Sequence, residues 1–81
     1  MSLHPNPINS VGQLRFGLNQ SSNVSLEVVD MLGKVALTKS KTFNAGQHHL
    51  EFNVGHLSDG VYIARFSANK QQSVIKFTVQ K

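Results

Sequence analysis

The chain has 81 residues, which is enough for one small domain. Apolar residues make up 40% of it and charged residues only 15%, which supports one hydrophobic core and excludes a highly charged disordered tail. The chain has no cysteine, so it offers no disulfide framework, no thiolate nucleophile and no cysteine zinc site. The apolar runs are too short to form a membrane-spanning helix, and we expect no membrane insertion.

The net charge of +4 comes from lysine and arginine residues that are spread along the chain. Nucleic-acid-binding proteins concentrate such charge on one face and often interleave aromatic residues that stack on bases. Only Lys39 and Lys41 form a locally dense pair, so we expect no nucleic-acid partner. This pair is typical of a solvated strand edge that lysines protect from aggregation, and contact with an anionic surface is the alternative.

Apolar and polar residues alternate along most of the chain, and no window shows a sustained helical stripe. In chain order the alternation predicts strands near residues 13–19, 24–28, 35–38, 47–54, 61–66 and 74–80. The third is weak and is predicted to lie at a sheet edge. The fifth is apolar on both faces except at Arg65, which predicts a position inside a sheet.

Turn-forming residues separate these segments. Asp30 and Gly33 predict a tight turn in which the aspartate accepts hydrogen bonds from the following backbone and the glycine adopts a positive φ. Residues 19–23, 44–46, 58–60 and 69–72 carry similar turn chemistry. Short strands at this spacing predict an all-β fold, an antiparallel β-sandwich of six or seven short strands with facing apolar rows.

The residue inventory indicates no catalytic or metal centre. His48 and His49 would point to opposite faces of a strand and cannot chelate one ion together, and His48 is predicted to be a partly buried spacer. The aspartates fall in turns and the glutamates on solvent faces, whereas a glycosidase needs two carboxylates across a cleft. The chain has no nucleophile elbow and no Gly-rich phosphate loop. We therefore predict no enzyme activity, no catalytic residue, no metal site and no cofactor.

Several short motifs, each common by itself, follow one another in a distinctive order. Along the chain they are Pro5, Asn6, Pro7, Asp30, Gly33, Gly60 and Tyr62, followed by the closing segment 74–81. In this order and spacing the chain resembles the type A C-terminal sorting domain of the type IX (Por) secretion system of Bacteroidetes. The resemblance covers residues 4–81.

The resemblance implies an Ig-like sandwich at the end of a longer secreted protein, whose signal peptide would lie far upstream. The N-terminal passenger would reach the periplasm, the outer-membrane secretion machinery would recognise the domain, and both would cross to the cell surface or be secreted. A sortase-like cysteine protease usually removes such a domain, and many passengers are joined to an anionic lipopolysaccharide. Residues 1–3 are then expected to be a cloning remnant, and residues 4–81 the sorting domain.

We expect the secretion machinery to recognise the last strand. Lys76 and Lys81 place ammonium groups beside an apolar row that includes Phe77 and Val79, and a partner strand can add to a terminal edge strand. The alternative is an ordinary edge strand with protective lysines.

The other motif residues are expected to be mainly structural. Pro5 and Pro7 should hold the N-terminal segment extended, because each ring fixes φ and restricts the residue before it. Gly60 should permit the turn into the central strand. Tyr62 should bury its ring while its hydroxyl bonds to the backbone.

The rival hypothesis is a carbohydrate-binding or adhesive Ig-like module of a secreted protein. Such a module needs an exposed aromatic platform, whereas Tyr62 and the five phenylalanines are mostly in phase with the core. A small enzyme would need a pocket with convergent polar groups, which the sequence does not predict. Pairing of two copies through an edge strand stays open.

Overall fold

Alternating sequence segments form the strands of two packed sheets. The computed structural model describes residues 2–81, which contain seven β-strands and no helix. The strands are β1 (Ser2–His4), β2 (Val11–Leu18), β3 (Ser22–Asp30), β4 (Val35–Phe43), β5 (Gly46–Asn53), β6 (Gly60–Ala68) and β7 (Gln71–Val79). One sheet has the order β1-β2-β5 and the other β4-β3-β6-β7, with antiparallel strand pairs throughout. Residues 2–81 include no helix with the length and apolar character needed to cross a membrane.

The core lies between the two sheets. Side chains two positions apart point to the same face of a strand, so each apolar row is buried as a unit. The buried rows are Leu14 and Phe16 in β2, Val24, Leu26 and Val28 in β3, Leu50 and Phe52 in β5, Tyr62, Ala64 and Phe66 in β6, and Phe77 and Val79 in β7. Packing of these rows removes apolar surface from water, which is the dominant favourable term in folding. The predicted all-β sandwich is confirmed.

The positions of two strands within their sheet follow the sequence pattern. β6 lies between β3 and β7, as predicted from its apolar residues on both faces. β4 lies at the edge, also as predicted, but it extends to Phe43 instead of ending near residue 38. Its polar half, which includes the exposed Lys39 and Lys41, pairs with β3 through the backbone, so side-chain alternation did not reveal it.

Asp30 fixes the β3–β4 turn, as predicted. Its Oδ1 accepts hydrogen bonds from the N–H groups of Leu32 and Lys34, both at 2.9 Å. Gly33 adopts a φ of 87°, a conformation that L residues rarely take.

The β6–β7 hairpin is tighter than predicted. Ala68 pairs with Gln71, so only Asn69 and Lys70 form the loop, and β7 begins before residue 72. Asn69 has a φ of 57°, as two-residue hairpin loops of the primed type require.

Tyr62 joins the start of β6 to the preceding loop. Its ring is 8% exposed, and its hydroxyl donates a hydrogen bond to the Ser58 carbonyl at 2.8 Å. The predicted backbone partner is therefore confirmed. A tyrosine at this corner that bonds back to the chain a few residues upstream is a hallmark of Ig-like sandwiches.

The first residues of the described chain take part in the fold, including Ser2 and Leu3 of the expected cloning remnant. Both belong to β1, where Leu3 pairs with Leu14 of β2. Leu3 is only 8% exposed and belongs to the core cluster, because the apolar face of β2 continues onto β1. Met1, the remaining residue of the expected remnant, lies outside the described residues.

Residues 5–7 form a bend, so the prediction of an extended N-terminal segment is wrong. The peptide bonds that precede Pro5 and Pro7 are both cis. The bend is needed because β1 pairs in the three-stranded sheet, whereas Ile8, four residues after His4, pairs in the four-stranded sheet.

Residues 6–8, which we call the N-terminal strap, cover one end of β7. Ile8 forms a parallel bridge with Val79. The N–H of Ile8 donates to the Thr78 carbonyl at 2.8 Å, and the N–H of Gln80 donates to the Ile8 carbonyl at 2.9 Å. The N–H of Thr78 donates to Asn6 Oδ1 at 3.3 Å.

The strap is anchored by Ile8, whose side chain is fully buried. Gly12 of β2 leaves the space for it, since a Cβ at that position would lie 2.7 Å from both Ile8 Cδ1 and Phe52 Cζ. The strap therefore ties the last strand of one sheet to the interior of the sandwich.

We predict that Phe77→Ala lowers the free energy of unfolding by about 3–5 kcal/mol. The Phe77 ring is 1% exposed, and its centroid lies 6.0 Å from the ring centroids of both Phe52 and Tyr62. Val74→Ala is the matched control on the same strand, because Val74 is 61% exposed and its truncation should change stability by less than about 0.5 kcal/mol. Urea denaturation measures both variants, and equal losses would contradict the assigned packing.

We predict that Asn6→Ala speeds amide hydrogen exchange at Thr78 by up to about tenfold, because one hydrogen bond is worth about 0.5–1.5 kcal/mol. Asn6→Asp is the control, since it keeps the oxygen that accepts from the Thr78 N–H. The amide of Ala64 in β6 should exchange at an unchanged rate in both variants. Unchanged exchange at Thr78 in Asn6→Ala would show that the strap does not hold this end of β7.

Candidate functional site

The titratable side chains do not converge on a reaction centre. Within residues 2–81, no group of three or more His, Asp or Glu side chains is arranged to hold a metal ion. His48 is half-buried against the rings of Phe16 and Phe43, and its Nε2 lies 2.7 Å from the Asn44 carbonyl oxygen. His49 is exposed on the opposite face of β5, as predicted for adjacent strand residues.

The outer face of the four-stranded sheet carries an open polar depression next to β7. The hydroxyl oxygens of Ser25 and Ser67 lie 2.5 Å apart and share a hydrogen bond. Glu27 pairs with Arg65 at 3.4 Å; the Arg65 side chain is exposed and that of Glu27 is half-buried. These polar groups bond to one another across strands, which is the ordinary chemistry of a solvated sheet face.

β7 carries four residues that the sequence assigned to recognition, and two of them face the core. Phe77 and Val79 are each 1% exposed. Both side chains belong to the core cluster, and the Phe77 ring packs on Phe52 of the opposite sheet and Tyr62 of β6, so a partner cannot touch them in the folded domain. Their position is the one that period-two alternation requires, with Lys76 and Thr78 pointing the other way.

Lys76 lies on the outer face of the four-stranded sheet. Its side chain is exposed, and its neighbour across the strand pair is the half-buried Ile63 of β6. Val74 shares this face at 61% exposure, opposite Arg65. An exposed cation and an exposed apolar side chain therefore stand side by side at the edge of the sheet.

Lys81 has a different environment. Its Nζ donates hydrogen bonds to the carbonyl oxygens of Gly55 at 2.6 Å and of Leu57 at 2.5 Å. Both acceptors belong to the loop between β5 and β6, so Lys81 fastens the chain end to that loop. Lys76 and Lys81 thus lie in different environments, one on the outer sheet face and one against the β5–β6 loop. They do not form one binding surface.

The backbone of β7 presents a divided outer edge. β6 pairs with one side of β7, and on the other side the N–H and C=O of Thr78 point to the strap. Backbone groups alternate in direction along a strand, so Gln72, Val74 and Lys76 also direct theirs to this outer side. Over the described chain, no strand pairs with that stretch. We call residues 72–76 the open β7 edge.

The motif residues predicted from the sequence lie next to β7 or in the turns between strands. Gly60 starts β6 opposite Val79, with a φ of 156°. Asn6 accepts the hydrogen bond from Thr78 and so belongs to the edge of β7. Sequence reasoning missed Ile8, because a single apolar residue between two prolines and a polar segment shows no periodicity. Ile8 and Val79 are also far apart along the chain, so the sequence does not indicate that they form a bridge.

The comparisons with known proteins identify a family for the chain. The chain matches the family described as "Secretion system C-terminal sorting domain" over residues 2–80, a range that includes β1 and all of β7. It has no significant match among curated proteins or among solved structures. Family membership implies export to the cell surface or beyond, with contacts to the secretion machinery and to a passenger domain. Because the match spans nearly every residue of this sandwich, the chain belongs to the family of C-terminal sorting domains of type IX secretion.

Proposed function

We propose that this chain is a non-catalytic secretion signal that directs an N-terminal passenger across the outer membrane and is then cleaved off at the cell surface. Family membership supports the sorting role. The observation that carries the mechanism is the division of β7, whose inward row builds the core while its outward edge stays open. The outer-membrane machinery then recognises the folded strand β7 and not an unfolded linear sequence.

The four recognition residues take different parts in this proposal. Lys76 contacts the machinery, because it is the exposed one on the open side of β7. Phe77 and Val79 act through the fold by keeping β7 on the sandwich. Lys81 ties the segment after β7 to the β5–β6 loop, and this holds the end of β7 in a defined position.

We place cleavage by the sortase-like cysteine protease on the N-terminal side of β1. β1 pairs with β2, and Leu3 is buried in the core, so a cut after this strand would remove part of the fold. The passenger is then released, and the domain stays intact until it has passed from the periplasm to the cell surface.

A carbohydrate-binding or adhesive module is the alternative, and the aromatic side chains argue against it. Sugar binding in this hypothesis needs an exposed aromatic platform. Four of the phenylalanines and Tyr62 are less than 10% exposed: Phe16, Phe52, Phe66 and Phe77 lie in the core with it. Phe43 is half-buried against Phe16 and His48.

The test uses residues 2–81, fused behind a signal peptide and a fluorescent passenger in a host that has type IX secretion. We expect the fusion to reach the cell surface or the medium, and the passenger without the domain to stay in the periplasm. Deletion of residues 76–81 should also retain the passenger there, because it removes Phe77, Val79 and the strap contacts. Full delivery of the truncated fusion would contradict the proposal.

A glycan-binding screen of residues 2–81 separates the two functions. The sorting proposal predicts no saturable binding to any glycan at micromolar protein concentrations. Tight binding to a sugar, together with a passenger that leaves the cell equally well without the domain, would favour the module instead.

A further inference from the structure

The open β7 edge has a chemistry that specifies the kind of partner it takes. We propose that it docks an extended segment of the secretion machinery, which adds to the sheet as one more strand and places a carboxylate opposite Lys76 and an apolar side chain opposite Val74. This inference rests on the proposed function and names the partner of the same site.

The backbone groups of the edge require a strand. Gln72, Val74 and Lys76 direct their N–H and C=O groups away from β6, and an extended chain is the structure that pairs with such a row. The bridge of Ile8 to Val79 shows that this side of β7 pairs with another backbone segment, because Ile8 makes two backbone hydrogen bonds of 2.8 and 2.9 Å there. The proposed partner pairs with the same side of β7, along the residues that the strap leaves uncovered.

The length and register of the partner are set by two stops. At one end, the Asn69 and Lys70 hairpin loop closes the edge directly before Gln71. At the other end, Asn6 and Ile8 occupy the backbone groups of Thr78. A partner strand therefore pairs with residues 72–76 and must leave the sheet at both ends, which limits slippage along the edge.

The outward side chains favour a partner that carries a carboxylate. Lys76 lies opposite Ile63 of β6 and has no carboxylate across this strand pair. Opposite charges that face each other across a strand pair are stabilising, and so are paired apolar side chains, which suits the exposed Val74. Antiparallel pairing of two copies about Val74 would place Lys76 opposite Gln72 of the second copy, which leaves the ammonium group without a counter-charge. A distinct acidic segment therefore fits this edge better than a second copy does.

The test compares Val74→Pro with Val74→Thr in the passenger fusion. Proline removes the outward N–H of Val74 and its ring obstructs an added strand, but it removes no hydrogen bond to β6, and edge strands tolerate proline. Threonine keeps the N–H and the branched Cβ. We expect Val74→Pro to lower surface delivery about tenfold or more and Val74→Thr, which weakens only the apolar contact, to lower it by a clearly smaller factor. Urea unfolding of both should resemble that of the unchanged chain.

The outcomes distinguish the docking inference from the sorting function. Equal delivery by folded Val74→Pro and Val74→Thr would overturn the docking inference and leave the sorting function intact, whereas failure of the unchanged fusion would overturn the sorting function itself. If Val74→Pro does not fold, Lys76→Glu and Lys76→Gln decide: the inference requires a larger loss of delivery for the reversed charge, and equal effects refute it. A dimer of residues 2–81 in sedimentation that Val74→Pro abolishes would assign the edge to a second copy and overturn the inference.

Discussion

The contact of Phe77 with Phe52 and Tyr62 is the constraint on which the rest of this domain depends. It joins β7 to the opposite sheet and to its neighbour β6, with ring centroids 6.0 Å from each partner. A domain of this length buries only about 60–65% of its unfolded surface, and no disulfide supplements the core. A few large side chains therefore carry much of the stability. Because Phe77 points inward, alternation makes Lys76 point outward, so one strand both completes the core and presents the edge.

The divided edge of β7 reconciles two opposing demands. An unpaired edge strand invites uncontrolled pairing with other chains, and proteins protect such edges with short lengths, lysines or covering segments. Here the strap covers the end near Thr78, and Lys76 marks the stretch that stays open. The open β7 edge is short enough to discourage aggregation and long enough to pair with one specific partner strand. The same arrangement brings the N-terminal and C-terminal motifs together, since Asn6 and Thr78 meet at this edge.

Side-chain periodicity predicted the parts of the fold that depend on a buried face. Six of the strands, the interior position of β6 and the edge position of β4 followed from alternation, because one face of each strand lies on the core. β1 was missed because it has only three residues, and its one buried side chain, Leu3, shows no period.

The candidate site was harder to predict than the fold. The alternation with Lys76 places Phe77 and Val79 inside the core, and their part in recognition stays a prediction. The strap could not be predicted, because its bridge joins Ile8 to Val79 across nearly the whole chain and uses backbone groups that carry no residue signature. The contact of Lys81 with the β5–β6 loop could not be predicted for a similar reason, since its acceptors are the main-chain carbonyls of a distant loop.

The central claim is that the secretion machinery reads the folded outer edge of β7. Site-specific photocrosslinking in a type IX-competent host tests it most directly, with a photoreactive residue at Gln72 or, for comparison, at Gln47 on the edge strand β5 of the other sheet. The account predicts that the probe at Gln72 crosslinks to an outer-membrane component of the secretion system and that the probe at Gln47 does not. Crosslinking from Gln47 alone, or equally from both positions, would contradict it.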